Sequence, residues 1–510
     1  MANNLDRIVA VNIEIASPAI DRANFDNLLI FGPAPKVPPL RPLPKVGIYS
    51  SLAEVTAAGY TAIGETADPV GVAARIAFSQ TPRPTQIFIA AMQAAKPSIE
   101  NAEIKIITAE NFYTDAVGAE ENDPIPADLP WLQVTYKRRP VSAMEIIIEK
   151  DDVVLFGKEL PLTKNANAFL QVALSTSAIP GNDQLGLDPA DLAGTYRFTL
   201  TGTTGVRTTN ITGEGIFDGA GDFTPGGVVR EVVPEMMTAV ETLELAYDTP
   251  GWYAACAAGI DESEYQLCAE WTEAHTKIFG YTFLSETDPV PPLFFRSHGW
   301  CGLVTDDQYP EDVPQSNHYL HVAATARGLS FPAGSETWNL QRVTAIVPSE
   351  MSTTLQTELE TGHSNWVDSR AGRTVTRNGQ TRGGEWIDVI RGRDWLQNDM
   401  QLRIFNLLLM RPKIPFTNPG IALVENAMIA SLKAAQVRGI VAPDEYDDDG
   451  NKVPGFIVRV PNAMSLTATE KASRNLRGCT FTARIAGAIH AVVVNGTLTY
   501  EVFTDDMRYS

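Results

Sequence analysis

The chain has 510 residues, 44% hydrophobic and 20% charged, enough for roughly three domains at about 100–200 residues each and for a core that needs no covalent staples. Its formal net charge of −21 argues against nucleic-acid binding and against docking on anionic membranes, both of which favour Lys and Arg. Four cysteines (Cys256, Cys268, Cys301 and Cys479) form no C-x-x-C pair and read as reduced, mostly buried thiols.

The first residues lack a basic stretch followed by an apolar one, so no signal peptide is expected. No apolar run reaches the ~18 residues of a membrane span. Residues 7–15 place Ile8, Val9, Val11, Ile13 and Ile15 in a strand-like alternation with smaller or polar residues. A terminal strand frays unless something pairs with it. Phe25–Gly32 reads as a buried strand, and six prolines between Pro33 and Pro44 make a stiff extended connection. Ser50–Gly59 and Pro69–Gln80 read as helices, the second with Pro at its start, and Thr85–Met92 as a strand. Strand–helix–strand alternation implies an α/β layer.

The texture changes near residue 100. Up to about residue 230 the runs are short and β-like: Trp131–Tyr136, Met144–Glu149, Val153–Phe156 and Tyr196–Thr201, with Asp151-Asp152 as a hairpin turn. Beyond it, 234–247, 261–277, 317–328 and 348–362 read as helices, and 252–258, 282–284 and 302–305 as strands. From Gly383 onward, helices are expected at Leu396–Met410 and Gly420–Arg438, an extended segment at 455–460, and a short helix at 467–476 with capping-box spacing between Thr467 and Glu470. Cys479–Ile485, Ile489–Val494 and Thr497–Phe503 read as strands, with Asn495-Gly496 a hairpin turn between the last two.

Chemistry is sparse. No Walker, dinucleotide-binding or nucleophile-elbow motif occurs, and no cofactor, catalytic residue or metal site is expected. His318 and His321 stand three apart on a helix, but without a following carboxylate or nearby Cys they read as surface or core histidines. Asp447-Asp448-Asp449-Gly450 fails the EF-hand pattern, because Phe456 falls where a bidentate Glu is needed; it reads as an acidic turn. Asp306, Asp307 and Asp399 read as exposed carboxylates. His298 and Cys301 are the pair an unfamiliar enzyme site would use, though closeness in sequence does not make a nucleophile–base pair. Lys471, Arg474, Arg477 and Arg484 form the clearest basic patch of an acidic chain, fitting either a solvated helix face or a contact with an acidic protein partner.

Four stretches together resemble the contractile tail sheath family. They are Phe78-Ser79-Gln80 followed by Pro84-Thr85-Gln86-Ile87-Phe88-Ile89; Asp248–Lys277 with Trp252-Tyr253 and Trp271; Gly384-Glu385-Trp386-Ile387-Asp388 with Asp394-Trp395-Leu396 and Ile414-Pro415-Phe416-Thr417-Asn418-Pro419-Gly420; and Ala483–Thr497. Phe416 and Asn418 stand where the family usually has Tyr and Asp. The resemblance implies a sheath-like α/β core, α+β overall, with an inserted β-rich domain and a C-terminal α+β domain with exchanged terminal strands. Its domains would be an arm at 1–24, a discontinuous α/β domain at 25–100 and 231–382, an outer insertion at 101–230, an inner C-terminal domain at 383–487 and a second arm at 488–510.

The resemblance further implies a non-enzymatic subunit in a phage tail, made in the host cytoplasm. It would assemble helically with itself around the tail tube protein and meet baseplate and tail terminator proteins, with no nucleic-acid partner and no membrane insertion. Ile8, Val9, Val11, Ile13 and Ile15 at one end, and Ile489, Val492, Val494, Leu498 and Tyr500 at the other, would be exchanged between neighbours as strands. Lys471, Arg474, Arg477 and Arg484 would touch the tube. A tail-associated adhesin, or an enzyme with an unrecognised site, are the alternatives.

Overall fold

A computed structural model of the chain describes residues 24–36, 43–64, 67–93, 99–138, 143–160, 167–177, 179, 181–204, 207–233 and 236–494. It is a mixed α/β protein with two compact units. One combines the chain up to Ala91 with the chain from Ala239 onward; the other spans Met92–Thr238.

The first unit opens with β1 (Leu28–Pro33), β2 (Gly47–Tyr49), α1 (Leu52–Ala57), α2 (Pro69–Ser79) and β3 (Ile87–Met92). Buried residues fill β1 and β3 because both faces of their sheet are covered, so these strands read as continuous apolar runs rather than alternating ones.

The second unit contains β4 (Ile99–Ile107), a short α3 (Phe112–Asp115), β5 (Trp131–Arg138), β6 (Ala143–Lys150), β7 (Val153–Glu159), β8 (Asn167–Ser175), β9 (Gln184–Leu187), β10 (Gly194–Thr204), β11 (Arg207–Phe217) and β12 (Phe223–Val233). They form a five-stranded sheet, β12-β11-β10-β6-β7, and a four-stranded one, β4-β5-β8-β9. Ile104, Leu132, Val134 and Val172 of one sheet share a core with Ile146, Ile148, Phe198 and Leu200 of the other, making a sandwich. The β6–β7 turn falls at Asp151 and Asp152, both at positive φ, as a tight twisted hairpin requires.

The first unit resumes with α4 (Ala239–Tyr247), β13 (Ala254–Ala257), α5 (Tyr265–Glu273), β14 (Ile278–Phe283), β15 (Ser297–Cys301), α6 (Leu320–Leu329), α7 (Thr353–Thr361) and the hairpin of β16 (Trp366–Arg370) and β17 (Arg373–Arg377). Its main sheet runs β15-β14-β13-β1-β3-β2, with β1, β13, β14 and β15 parallel. Leu28, Ile30, Ala254, Cys256 and Ile278 join a core with residues of α2 and α6, while Phe279 and Tyr281 of β14 meet Tyr265 of α5. Two expectations need correction here. The strand lies at Ser297–Cys301 rather than 302–305, because the buried run Ser-His-Gly-Trp-Cys lacks the β-branched residues that mark strands. The helix expected over 261–277 is α helix only at Tyr265–Glu273, and Lys277 leads directly into β14.

The last described elements are α8 (Ile387–Met410), α9 (Asn418–Arg438), β18 (Glu445–Tyr446), β19 (Lys452–Val453), β20 (Phe456–Arg459), α10 (Ala468–Ala472) and β21 (Thr480–Ala483). α8 starts nine residues before the expected Leu396. Its first half buries Ile387, Ile390, Arg391 and Asp394. Charged residues on a buried face hide such a helix from a reading based on apolar periodicity.

Candidate functional site: the C-terminal assembly region

The C-terminal region is built on two long antiparallel helices. α9 begins with Thr417, whose Oγ1 accepts from Gly420 N at 3.3 Å, and ends on Gly439 in the left-handed conformation. Ile421, Met428, Leu432 and Ala435 make its buried stripe. Between the helices, Asp399 accepts from Ser431 Oγ at 2.8 Å and from Arg403 Nε at 2.6 Å. Asp399 is only 3% exposed, which corrects its reading as an exposed carboxylate: a buried carboxylate persists here because both a cation and a hydroxyl satisfy it.

The root of α8 carries a second set of buried charges that the sequence does not announce. Arg391 is fully buried. It donates to Glu336 Oε1 at 2.5 Å, to Asp26 Oδ1 at 2.7 Å and to the carbonyls of Phe25, Gly328 and Phe331. Asp394 accepts from Arg296 at 2.6 and 2.9 Å and from Tyr253 Oη at 2.9 Å. Breaking one partner of such a pair strands the other, at about 3–5 kcal/mol. These contacts tie α8 to β1, β13 and the loop before β15.

A two-stranded sheet and a strand-like tail lie over these helices. β20 pairs antiparallel with β21 and with no third strand among the described residues. The chain then continues through short backbone contacts: Arg484 N to Gly455 O, Ala442 N to Arg484 O and Ala486 N to Ile440 O. His490 is the last anchor, with Nε2 2.9 Å from Thr337 Oγ1 and its ring 4.6 Å from that of Trp386. Two largely apolar cavities flank this path. One, of about 480 Å³, is walled by Leu396, Ile440, Phe481 and Ile485; the other, of about 460 Å³, by Met400, Ile404, Ile421 and Phe481.

Of the residues expected to exchange as strands, Ile489, Val492 and Val494 are 82, 75 and 83% exposed. The expected strand at 489–494 makes no ladder among the described residues; an extended segment becomes a strand only when a partner offers it hydrogen bonds. Ile8, Val9, Val11, Ile13, Ile15, Leu498 and Tyr500, and the Asn495-Gly496 turn, lie outside the described residues. In the basic patch, Arg474 and Arg477 are exposed, whereas Lys471 and Arg484 are half-buried. Arg484 ion-pairs with Glu445. The capping box of Thr467 and Glu470 is formed at the start of α10.

The other sequence candidates are scattered and structural. His298 and Cys301 lie on one buried strand. Trp300 Nε1 donates to His298 Nδ1 at 2.8 Å, burial pulls that imidazole down to about 3, and burial pushes the Cys301 thiol up to about 12. A nucleophilic pair needs the opposite shift at the thiol. His321 is a core residue bonded to Thr282 Oγ1 and Ala257 O, whereas His318 is half-buried against Val313 O. Asp447 closes the β18–β19 turn by accepting from the Asp449 and Asn451 amides. Among the described residues no group of three or more His, Cys, Asp or Glu is placed to hold a metal ion. Among the described residues no helix is long and apolar enough to cross a membrane.

A pair of long helices, a two-stranded sheet and an exposed apolar tail make up this region. Residues 387–498 match the family described as E217 tail sheath protein gp31-like, C-terminal domain, in line with the contractile tail sheath resemblance of the sequence. No curated protein matches the chain. Among solved structures, the crystal structure of the sheath tail protein from Desulfitobacterium hafniense is 11% identical, with 88% of this chain and 93% of that one covered and a TM-score of 0.42. A chain of the cryo-EM structure of the anti-feeding prophage baseplate is 13% identical, over 50% of this chain and 71% of that one, with a TM-score of 0.39.

Proposed function

We propose that this chain is the structural subunit of a contractile phage tail sheath. It assembles helically around a tail tube, with baseplate and terminator proteins at the ends, and contracts to drive the tube through the host envelope. The observation that carries this reading is the match of residues 387–498 to a tail sheath C-terminal domain. Two-stranded sheets are marginal in water, and β20–β21 leaves edges that added strands would complete. Ile489–Val494 supplies a strand-forming sequence that its own chain leaves exposed. In this reading, the arm at residues 1–24 and the arm from 488 onward pair with neighbouring copies and keep the lattice connected while subunits slide. Residues 101–230 are the outer insertion, and the exposed Arg474 and Arg477 face the tube. Head-to-tail contacts of this kind generate open helical assemblies, and contraction is a passage between two packings of one lattice.

Negative-stain electron microscopy tests this with the full chain, a deletion of residues 1–16 and a deletion of residues 489–510. Long hollow tubes from the full chain, lost in both deletions, are expected. Tubes from both deletions would keep the sheath and discard strand exchange as its linkage. Small discrete particles from the full chain at high concentration would sink the sheath reading.

A further inference from the structure

One side chain away from the assembly region is placed for chemistry that a sheath does not use. Lys277 leaves α5 and immediately precedes β14. Its Nζ lies 4.0 Å from the centroid of the Trp252 ring and 5.9 Å from that of Tyr247, and it donates to the Trp252 carbonyl at 2.5 Å. Among the described residues no carboxylate pairs with it. The charged groups around it are committed elsewhere. Asp394 is held by Arg296 and Tyr253, Arg296 also donates to the Lys277 carbonyl at 3.2 Å, and Glu273 Oε1 accepts from the Arg296 amide. His275 stacks on Trp271 with its Nδ1 2.6 Å from the Trp271 carbonyl, and Glu244 accepts from Trp271 Nε1.

An ammonium held between two aromatic faces and one neutral acceptor is poorly solvated and has no counter-charge. Burial therefore pulls the amine down to about 8. It is not sealed off, however. Lys277 borders a cavity of about 390 Å³ whose wall includes Thr276, Gln397, Asn398 and Gln401. A neutral Nζ can keep its hydrogen bond to the Trp252 carbonyl and still carry a lone pair for attack.

We propose that Lys277 is a selective acylation site that takes small activated acyl donors, esters or thioesters, through this cavity. The Nζ lone pair attacks the acyl carbonyl carbon and a C–N bond forms. The bond from carbon to the ester oxygen or thioester sulfur breaks, the leaving group departs with the electron pair, and the proton lost from nitrogen passes to solvent. Amide formation removes the cation from the Trp252 face and leaves one N–H for the Trp252 carbonyl.

The test uses the full-length protein and N-hydroxysuccinimidyl acetate at limiting concentration, read by peptide mass mapping across pH 6.5–9. At pH 7.5 the depressed amine holds far more neutral form than an ordinary lysine. Allowing for burial, Lys277 should acetylate about tenfold faster than the exposed Lys413 and Lys433. Its rate should level off above pH 8 while theirs keeps rising, and the preference should vanish in concentrated urea. Lys277→Arg should remove the fast-reacting peptide alone. Reaction of Lys277 at or below the rate of Lys413 and Lys433 in the folded protein, or a preference that survives in urea, would overturn the assignment.

Discussion

Charges buried at the root of α8 decide how that helix is held, and one of them is poorly placed in the isolated chain. Asp388 Oδ1 is buried without a hydrogen-bond partner among the described residues. Burial and the neighbouring Glu336 charge push its carboxyl up to about 6. The ordinary value is about 3.9, so folding favours the protonated acid. The stability this contributes is complete below about pH 4 and is lost as pH rises through about 6. Asp388→Asn keeps the shape and removes the ionisation. It should therefore raise stability at pH 7 by about 1–2 kcal/mol and flatten the stability profile between about pH 4 and 6. Urea denaturation of both proteins over that range measures this. A variant less stable than wild type at pH 7 would mean that the ionised carboxylate is wanted, as an anion near a helix N-terminus can be.

Elements differ in how openly the sequence declares them. β1 and β3 are apolar throughout because covered faces surround them, α2 is apolar apart from Arg75 and Ser79, and α9 shows both its Thr417 cap and its Gly439 stop. The first half of α8 and all of β15 stay hidden. Arg391 and Asp394, buried in ion pairs, look like surface residues, and Ser-His-Gly-Trp-Cys looks like a loop. No local pattern could announce Arg391, whose partners Asp26 and Glu336 are distant in sequence and meet it only in the fold. The C-terminal region is half legible for a related reason: the apolar tail is visible as a string of valines, but 489–494 makes no ladder among the described residues, and in the proposed assembly its partner strand would come from another chain. The segment after α10 is where an element-level prediction bears on the partner. Arg474 and Arg477 are exposed, while Arg484 is engaged by Glu445. If the first two meet an acidic tube surface, Arg474→Glu with Arg477→Glu should weaken co-sedimentation with tube about tenfold or more, since like charges replace attractive ones. Self-assembly should be untouched. Unchanged co-sedimentation would remove these residues from the tube contact.

At the scale of the whole molecule, the proposed assembly would stack a chain with a formal net charge of −21 against copies of itself. Each subunit added to a lattice brings like charge close to like charge, and that repulsion opposes assembly at long range. The proposed attractive terms act differently. Strand pairing and burial of the apolar tail, whose Ile489, Val492, Val493 and Val494 are exposed in the single chain, work at contact and are little affected by salt. Salt should therefore favour tubes. The screening length falls from about 30 Å at 0.01 M to about 3 Å at 1 M, so the repulsion fades while the contacts persist. Light scattering of purified full-length protein, with microscopy to confirm tubes, should show the critical concentration for assembly falling several-fold from low salt to about 0.5 M. A critical concentration that rises with salt would mean that the lattice is held by ion pairs between subunits. Strand exchange and apolar burial would then no longer be the main source of its cohesion.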